Sequence, residues 1–335
     1  MARVYYLDIL RLLATFAVIL LHVSGIFMRE NTISWYASHI YFYISKWCVP
    51  VFLMISGALF LQPTKQVSIK QLFAKYIFRL CYCLVVWQLL YSFVFNPFRP
   101  MLLDLIHGNP IEYHAYPLIP FNYHLWFLPM LIGVYTLIPI FKVIVTNKQV
   151  MIYYLLLWFL FETYSFLRSI PILQIESLNY IIDSFHFGMA YGYSGYFLLG
   201  YYLSTINISK QLYHASLIGG LVLLGGTILY SFFYGSSDDN LTPNVILMSI
   251  SVFVCVRYLC EAGKQVLSPV LTYTRDDLFG IYLIHPFVLS LYLFYPCFKG
   301  SLSFFLIPVF SLIIFVISLY LMKGLRCIPY VKKLC

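Results

Sequence analysis

The sequence predicts an all-α, polytopic membrane protein with about ten transmembrane helices. Of its 335 residues, 62% are hydrophobic and only 10% are charged, whereas a soluble domain usually has about 25% charged residues. Mean hydropathy is +0.85, and apolar stretches of roughly 20 residues, long enough to cross a hydrocarbon core, recur along the chain. No polar stretch is long enough for a soluble domain, so we predict one membrane domain over residues 1–335.

Ten apolar segments are the candidate helices. The longest connection between them runs from Asn96 to Tyr123 and contains His107, Glu112 and His114. A connection of that length is usually functional, so we expect an ordered cap or a re-entrant segment. The ten segments are approximately residues 7–28, 40–61, 73–95, 123–145, 150–168, 188–205, 213–234, 243–262, 278–296 and 302–323.

The basic residues predict which side of the membrane each loop faces, because cytoplasmic loops carry an excess of Lys and Arg. With a cytoplasmic N-terminus, most basic residues fall in the inner loops. The net charge of +9 is therefore a topology signal rather than a nucleic-acid-binding surface. An even number of spans places the C-terminus in the cytoplasm too. The basic residues predicted outside are Arg29, Arg99, Arg168 and Lys299.

The first apolar segment carries Asp8, Arg11 and His22. Ionisable groups cost several kcal/mol at membrane depth and by default mark a functional site. At about 100° per residue, His22 returns nearly to the azimuth of Arg11, about 16 Å further along the helix axis. Asp8 lies three residues before Arg11, close enough to pair with it. The segment therefore predicts a polar stripe from one membrane surface towards the middle.

These three residues also have a structural interpretation. Asp8 and Arg11 are compatible with an anchor at the membrane edge, and His22 with a core histidine satisfied by a neighbouring helix. Alternatively, a histidine at that depth takes up and releases a proton near neutral pH. The residues alone leave both interpretations open.

The second segment combines a proline with a pair of small residues. Pro50 should kink the helix, and Ser56 beside Gly57 should permit close approach of another helix. Close packing is the simpler interpretation of Ser56.

A basic cluster follows at the predicted cytoplasmic surface, where Lys65 and Lys70 precede Lys75 and Arg79. The last two are four residues apart and share a helix face, so they are able to hold one polyanion together. A phosphorylated cytosolic ligand such as a coenzyme A nucleotide would fit. Ordinary contact with anionic lipid is the other interpretation.

Three later segments also contain polar residues. His124 and Trp126 lie at the outer end of the fourth segment, where an aromatic belt is expected. Glu162 lies inside the fifth segment, and His285 with Pro286 should interrupt the ninth. Each of these has a packing explanation by itself. We find no phosphate-binding loop, dinucleotide fingerprint, zinc motif or nucleophile elbow, and we predict no metal site.

Five motifs in this order resemble the acyltransferase-3 family of integral membrane acyltransferases. The resemblance is closest to compact members that O-acetylate bacterial surface polysaccharides, and it extends from Tyr6 to Leu289. The motifs are YLDILRLLATFAVILLH, VPVFLMISGALFL, HLWFLPMLIGVYTLIP, GYFLLGYYLS and FGIYLIHPFVL.

The resemblance implies an acyl-CoA donor, acetyl-CoA in particular, that arrives from the cytoplasm as a substrate, with no bound cofactor. It implies a glycan or lipid-linked oligosaccharide acceptor at the outer face of the bacterial cytoplasmic membrane. Arg11 and His22 match the family's essential Arg–His pair, and Asp8 matches the acid before the Arg.

The resemblance also implies roles for three residues of this set. His22 would be the acyl-transfer base or the acyl carrier. Lys75 and Arg79 stand where the family has basic residues for the donor phosphates, although the tight RxxR cluster is absent. From the basic cluster we add Lys70 to the predicted donor-binding residues, and from the polar residues of the spans we predict supporting or acceptor-side roles for Ser56, His124, Trp126, Glu162 and His285.

The function expected is therefore transfer of an acyl group, in particular acetyl, from acyl-CoA to a hydroxyl of a cell-surface polysaccharide or its lipid-linked precursor. An exporter of polysaccharide precursors or a proton-coupled carrier would instead use His22, Glu162 and His285 as a proton relay. The sequence lacks the inverted repeat that many transporters show. A scaffold for a glycan synthase would not need the polar stripe.

Overall fold

The computed structural model describes residues 4–26, 33–95, 123–170, 180, 184, 191–234, 239–263, 268–290 and 302–327. Of the described residues, 84% are helical and none lies in a strand. The prediction of an all-α, polytopic membrane protein is confirmed. The expected cap between Asn96 and Tyr123, with His107, Glu112 and His114, lies almost wholly outside the described residues.

Each predicted apolar segment contains a helix. The helix of the third predicted segment begins early, with a short helical turn, Ile69–Gln71, and a π-helical segment, Leu72–Ile77. The helices are α1 (Tyr5–Ile26), α2 (Ile33–Ser45), α3 (Cys48–Phe60), α4 (Phe78–Phe95), α5 (Phe127–Thr136), α6 (Ile138–Ile144), α7 (Lys148–Ser169), α8 (Ser194–Thr205), α9 (Lys210–Tyr234), α10 (Pro243–Glu261), α11 (Ser268–Thr274), α12 (Leu278–Ser290) and α13 (Ser303–Leu325).

Within the described residues, seven helical stretches are long and apolar enough to cross a membrane. The pair α5 and α6, bent by 52° at the break between them, would make an eighth. The remaining segments are represented by α8, with 12 residues, and α12, with 13. The count of ten spans and the cytoplasmic placement of both termini therefore stay predictions.

Helix α1 lies at the centre of the bundle. It packs against α2, α3, α10, α12 and α13, and its apolar side chains belong to two separate core clusters on opposite sides. A helix that is hydrophobic all round is expected to be buried in this way. Asp8, Arg11 and His22 are partly exposed, and so are the apolar residues Leu13, Phe16 and Leu21.

The second predicted span is broken where Pro50 requires it. Helix α2 ends at Ser45, a turn follows at residues 46–47, and α3 begins at Cys48. Pro50 has no N–H for the carbonyl of Lys46, and its ring crowds that carbonyl. The structure thus shows an interruption near Pro50, although Ser34–Phe60 as a whole is still long and apolar enough to form one span.

Candidate active site

Three histidines from three separate elements meet near one end of α1. His22 belongs to α1, His124 to the turn before α5, and His285 to α12. The rings of His22 and His285 are stacked with centroids 5.3 Å apart, and those of His124 and His285 are edge to face at 6.0 Å. We call these three residues the histidine cluster.

The histidine cluster is buried except on one side. His285 is 0% exposed and His124 is 2% exposed, while His22 is partly exposed. Tyr123, which is 56% exposed, packs its ring against both His22, at 5.0 Å, and His124, at 5.4 Å. The accessible side of the cluster is therefore that of His22 and Tyr123.

Two buried tyrosines hold the inner side of the cluster. The Tyr91 ring lies 4.8 Å from the His124 ring, and its hydroxyl donates a hydrogen bond to the Leu283 carbonyl at 2.7 Å. The Tyr282 hydroxyl donates to the backbone carbonyl of His124. These bonds tie α4, α12 and the turn before α5 together, so the imidazole positions depend on all three elements.

Pro286 lies inside α12 but does not interrupt it, contrary to the expectation for the ninth segment. Because Pro286 has no N–H, the Tyr282 carbonyl four residues earlier loses its helical donor. The Nδ1 atom of His285 lies 2.8 Å from that carbonyl oxygen and takes the place of the missing N–H. Neighbouring side chains commonly satisfy such freed groups in membrane helices, which is why α12 continues.

The same bond assigns the tautomer of His285. A carbonyl oxygen only accepts hydrogen bonds, so Nδ1 of His285 carries the hydrogen. In the neutral ring, Nε2 then has a free lone pair. This atom is buried and has no hydrogen-bond partner among the described residues. His285 therefore presents an unused acceptor to the cluster.

Neither ring nitrogen of His124 forms a hydrogen bond of good geometry with the described residues. The carbonyl of Leu283, which accepts from Tyr91, lies near the His124 ring and has a second lone pair, but no hydrogen bond of good geometry joins the two. A neutral imidazole has one N–H donor and one acceptor nitrogen. Buried groups of this kind are normally satisfied by protein, water or ligand, so His124 is equipped to bind a small polar group.

Arg11 lies at the other end of α1. Its Nη1 atom is 2.9 Å from Oδ1 of Asp8, which confirms the predicted contact. From Arg11 to His22 the helix rises about 16 Å. Within α5, Tyr135 lies against Ser56 and within electrostatic range of both Arg11 and Arg79. The Arg11 end of the polar stripe therefore faces α3, α4 and α5.

Basic side chains lie beside the Arg11 end of the stripe. Lys142 of α6 donates a hydrogen bond to the backbone carbonyl of Lys65, and the Lys65 ammonium lies 3.3 Å from the centre of the Phe60 ring. Burial, with repulsion from Lys142 and Lys75, lowers the pKa of Lys65 to about 8. None of these three lysines takes part in the ion pairs of the described residues. We call Lys65, Lys75 and Lys142 the lysine cluster.

The start of the third predicted span is not a regular α-helix. Lys75 lies in the π-helical segment Leu72–Ile77, and Arg79 follows in α4. The expected shared face of these two residues therefore spans a wider turn, and such turns are frequent at functional sites. Lys70 lines an open groove of about 520 Å³ together with Phe73 and Phe78.

Glu162 is apart from the histidine cluster. Its Oε1 atom accepts a hydrogen bond of 2.6 Å from the N–H of Gly192, whose φ of 95° suits glycine. The Trp158 indole donates to the carbonyl of the same Gly192 at 2.8 Å. These contacts fix the turn before α8. Trp126 packs on Tyr193 in that turn, with ring centroids 5.6 Å apart.

The sequence contained signals for some neighbours that we did not predict. Tyr282 precedes His285 by three residues, the spacing of neighbours on one helix face. Tyr123 adjoins His124 directly. By contrast, nothing in the sequence paired Lys142 with Lys65, since 77 positions separate them. The described residues contain no group of three His, Cys, Asp or Glu that is placed to hold a metal ion.

Comparison with family models supplies the deciding observation. The model of the acyltransferase-3 family, described as an acyltransferase domain, matches residues 4–323 of the chain. The chain belongs to the acyltransferase-3 family. No curated protein and no solved structure matches this acyltransferase-3 protein.

Membership and fold together define the protein in coarse terms. It is a multi-pass membrane protein with an acyltransferase domain. The matched range includes both ends of the polar stripe on α1, the histidine cluster and the lysine cluster. The acyltransferase-3 domain therefore contains every candidate site residue named above.

Proposed function

We propose that this acyltransferase-3 protein transfers an acyl group, in particular acetyl, from cytosolic acyl-CoA to a hydroxyl of a bacterial cell-surface polysaccharide or its lipid-linked precursor. The protein would act from the cytoplasmic membrane, with Arg11 near the cytoplasmic face and His22 deeper. The observation that carries the proposal is the position of His22. It is the partly exposed member of a buried histidine cluster, on the same helix as Arg11.

The histidine cluster supports the chemical step. In direct transfer, His22 takes the proton of the acceptor hydroxyl as its oxygen attacks the thioester carbon. The new C–O bond forms, the C–S bond breaks, and the proton ends on the sulfur of the departing CoA. Alternatively, a nitrogen of His22 attacks the thioester carbon, the C–S bond breaks and CoA leaves as the thiol with the imidazole proton. The acceptor hydroxyl then attacks the acyl-histidine, the C–N bond breaks and the hydroxyl proton returns to the imidazole.

The lysine cluster supports an anionic donor. Three ammonium groups near one another repel and gain from a shared counter-charge. The phosphates of CoA would provide this counter-charge. Because they are too polar to enter the bilayer, they would stay at its surface beside the lysine cluster. Arg11 and Arg79, which both lie within electrostatic range of Tyr135, would continue this positive charge towards the α1 stripe. The rise of about 16 Å from Arg11 to His22 is comparable with an extended pantetheine arm.

The test is acyl transfer by the purified full chain in lipid nanodiscs. We expect labelled acetyl from acetyl-CoA to appear as alkali-labile ester on glycolipid extracted from the host membrane. His22→Ala should abolish the transfer. His39→Gln is the matched control, because His39 is also buried, at 2% exposure, but packs among Trp35, Tyr43 and Phe232 outside the cluster. An active His22→Ala protein would overturn the proposal.

Labelling without acceptor separates the two routes. If His22 carries the acyl group, the chain retains acid-labile label that His22→Ala lacks. If His22 acts only as a base, the chain stays unlabelled although it transfers acetyl when acceptor is added.

A further inference from the structure

The histidine cluster contains more hydrogen-bonding capacity than one reacting hydroxyl uses. His285 offers the lone pair of Nε2, and His124 offers one N–H donor and one lone pair. These groups are buried and have no hydrogen-bond partners among the described residues. An unpaired buried polar group carries a desolvation cost. The pair is therefore suited to a small ligand group that both donates and accepts.

A hydroxyl group has that pattern. Its oxygen accepts from the His124 N–H while its hydrogen points to Nε2 of His285. The two ring centroids are 6.0 Å apart, a spacing that is compatible with one oxygen bonded to a nitrogen of each ring. An apolar group would leave both imidazoles unsatisfied, and a carboxylate would face the lone pair of His285.

We infer that His124 and His285 bind a second hydroxyl of the acceptor, next to the one that reacts. This inference rests on the proposed function, in which His22 takes the proton of the reacting hydroxyl. A hydroxyl has a single hydrogen, so the group that donates to His285 cannot be the one that donates to His22. Because His22 and His285 are stacked at 5.3 Å, the two hydroxyls must be close neighbours. The acceptor class is therefore a sugar with a vicinal diol.

The exposure of the three histidines fits this arrangement of the two hydroxyls. His22 and Tyr123 are on the accessible side of the cluster, and the other two imidazoles lie further in. The reacting hydroxyl would stay near His22, and its neighbour would extend inward. His124 and His285 would then determine which hydroxyl of the sugar reacts.

Substitutions separate this binding role from a structural one. His285→Asn keeps an amide N–H able to serve the Tyr282 carbonyl but removes Nε2. His124→Phe keeps a ring in the same space and removes both nitrogens. His39→Asn is the matched control, because His39 also has its Nδ1 beside a carbonyl four residues earlier, that of Trp35 at 3.2 Å.

Initial rates measured in nanodiscs with labelled acetyl-CoA, while host glycolipid extract is titrated, give the first readout. We expect the KM for the acceptor to rise about tenfold to a hundredfold in His285→Asn and His124→Phe. The KM for acetyl-CoA should stay unchanged, and kcat should change far less than the acceptor KM. His39→Asn should behave as the wild type. An unchanged acceptor KM, or a fall in kcat alone, would overturn the inference.

Inhibition by small alcohols gives the second readout and covers variants that fold poorly. In the wild type, cis-1,2-cyclohexanediol should compete with the acceptor more strongly than cyclohexanol does. Equal inhibition by the two would contradict the diol. His285→Gln, which restores a polar group near the position of Nε2, should recover part of the diol preference. If the wild type transfers no acetyl, it is the proposed function that fails, whereas activity without diol preference rejects only the present inference.

Discussion

Gly57 in α3 lies directly against the backbone of Phe197 in α8. A Cβ atom added at Gly57 would come within 1.7 Å of the Phe197 carbonyl oxygen. The facing helix repeats the arrangement, because a Cβ at Gly200 would lie 2.0 Å from the carbonyl oxygen of Met54. The predicted close approach at Gly57 is confirmed. Helix α3 also packs against α1, and Ser56, next to Gly57, lies against Tyr135.

Gly57→Ala should therefore separate the two helices and destabilise the protein. We expect a loss of about 1–3 kcal/mol, the usual cost of overpacking a tight interior, seen as a lower melting temperature in detergent. Gly133→Ala is the control, since a Cβ there meets nothing within 4 Å. Its melting temperature should be unchanged or slightly higher. Equal melting temperatures for the two variants would contradict the close crossing.

Asp8→Asn tests what the ion pair with Arg11 contributes. The two side chains are 17% and 30% exposed, so the pair should add little to stability. If Asp8 orients Arg11 towards the donor, the KM for acetyl-CoA should rise about threefold to tenfold, equivalent to roughly 1 kcal/mol. Arg11→Ala should abolish transfer. A clear drop in melting temperature with an unchanged KM would instead assign the pair to membrane anchoring.

Glu162→Gln distinguishes a structural carboxylate from a proton relay. Glu162 accepts a 2.6 Å bond from the Gly192 N–H, and a neutral amide makes a weaker acceptor than a carboxylate. We expect a loss of about 1–2 kcal/mol in stability, with transfer per folded protein unchanged. Gly192→Ala, which is strained at a φ of 95°, should give the same result. Lost activity at full stability would favour the carrier that the sequence left as an alternative.

The sequence predicted those features that depend on a single helix. Apolar stretches located the spans, and the spacing of Asp8, Arg11 and His22 on α1 predicted their stripe, because these patterns are local. The break near Pro50 followed from a missing N–H. Pro286 has the same chemistry but no break, because the side chain of His285 satisfies the freed carbonyl. That outcome depends on a rotamer, which the sequence does not specify.

The candidate site required tertiary structure. His22, His124 and His285 were each singled out, but their meeting depends on how α1, α12 and the turn before α5 pack. Glu162 was grouped with histidines from which the structure separates it, because depth in the membrane does not specify direction around a helix. The sequence also did not reveal Lys142 beside Lys65.

Lys65 should make the binding of an anionic ligand depend on pH. Its pKa in the folded protein is about 8, below the usual value, because of burial and the nearby Lys142 and Lys75. Between about pH 8 and its unfolded pKa near 10.4, the unfolded state binds more protons, so the free energy of unfolding should rise with pH in this window. Below pH 8 both states are protonated, and the full cost of the buried charge is present.

In the folded protein, burial and the neighbouring lysines favour the neutral amine of Lys65. A bound polyanion has the opposite effect and favours the charged ammonium. Binding of 3′-phospho-ADP, which has the CoA phosphates but no thiol, should therefore take up a proton near pH 8 and weaken as pH rises above it. Calorimetry in two buffers of different ionisation enthalpy measures both effects. Lys65→Arg, which stays charged, should flatten the pH profile, and Lys65→Gln should bind weakly at every pH. If the wild type and Lys65→Arg show the same slope, Lys65 does not contact the donor phosphates.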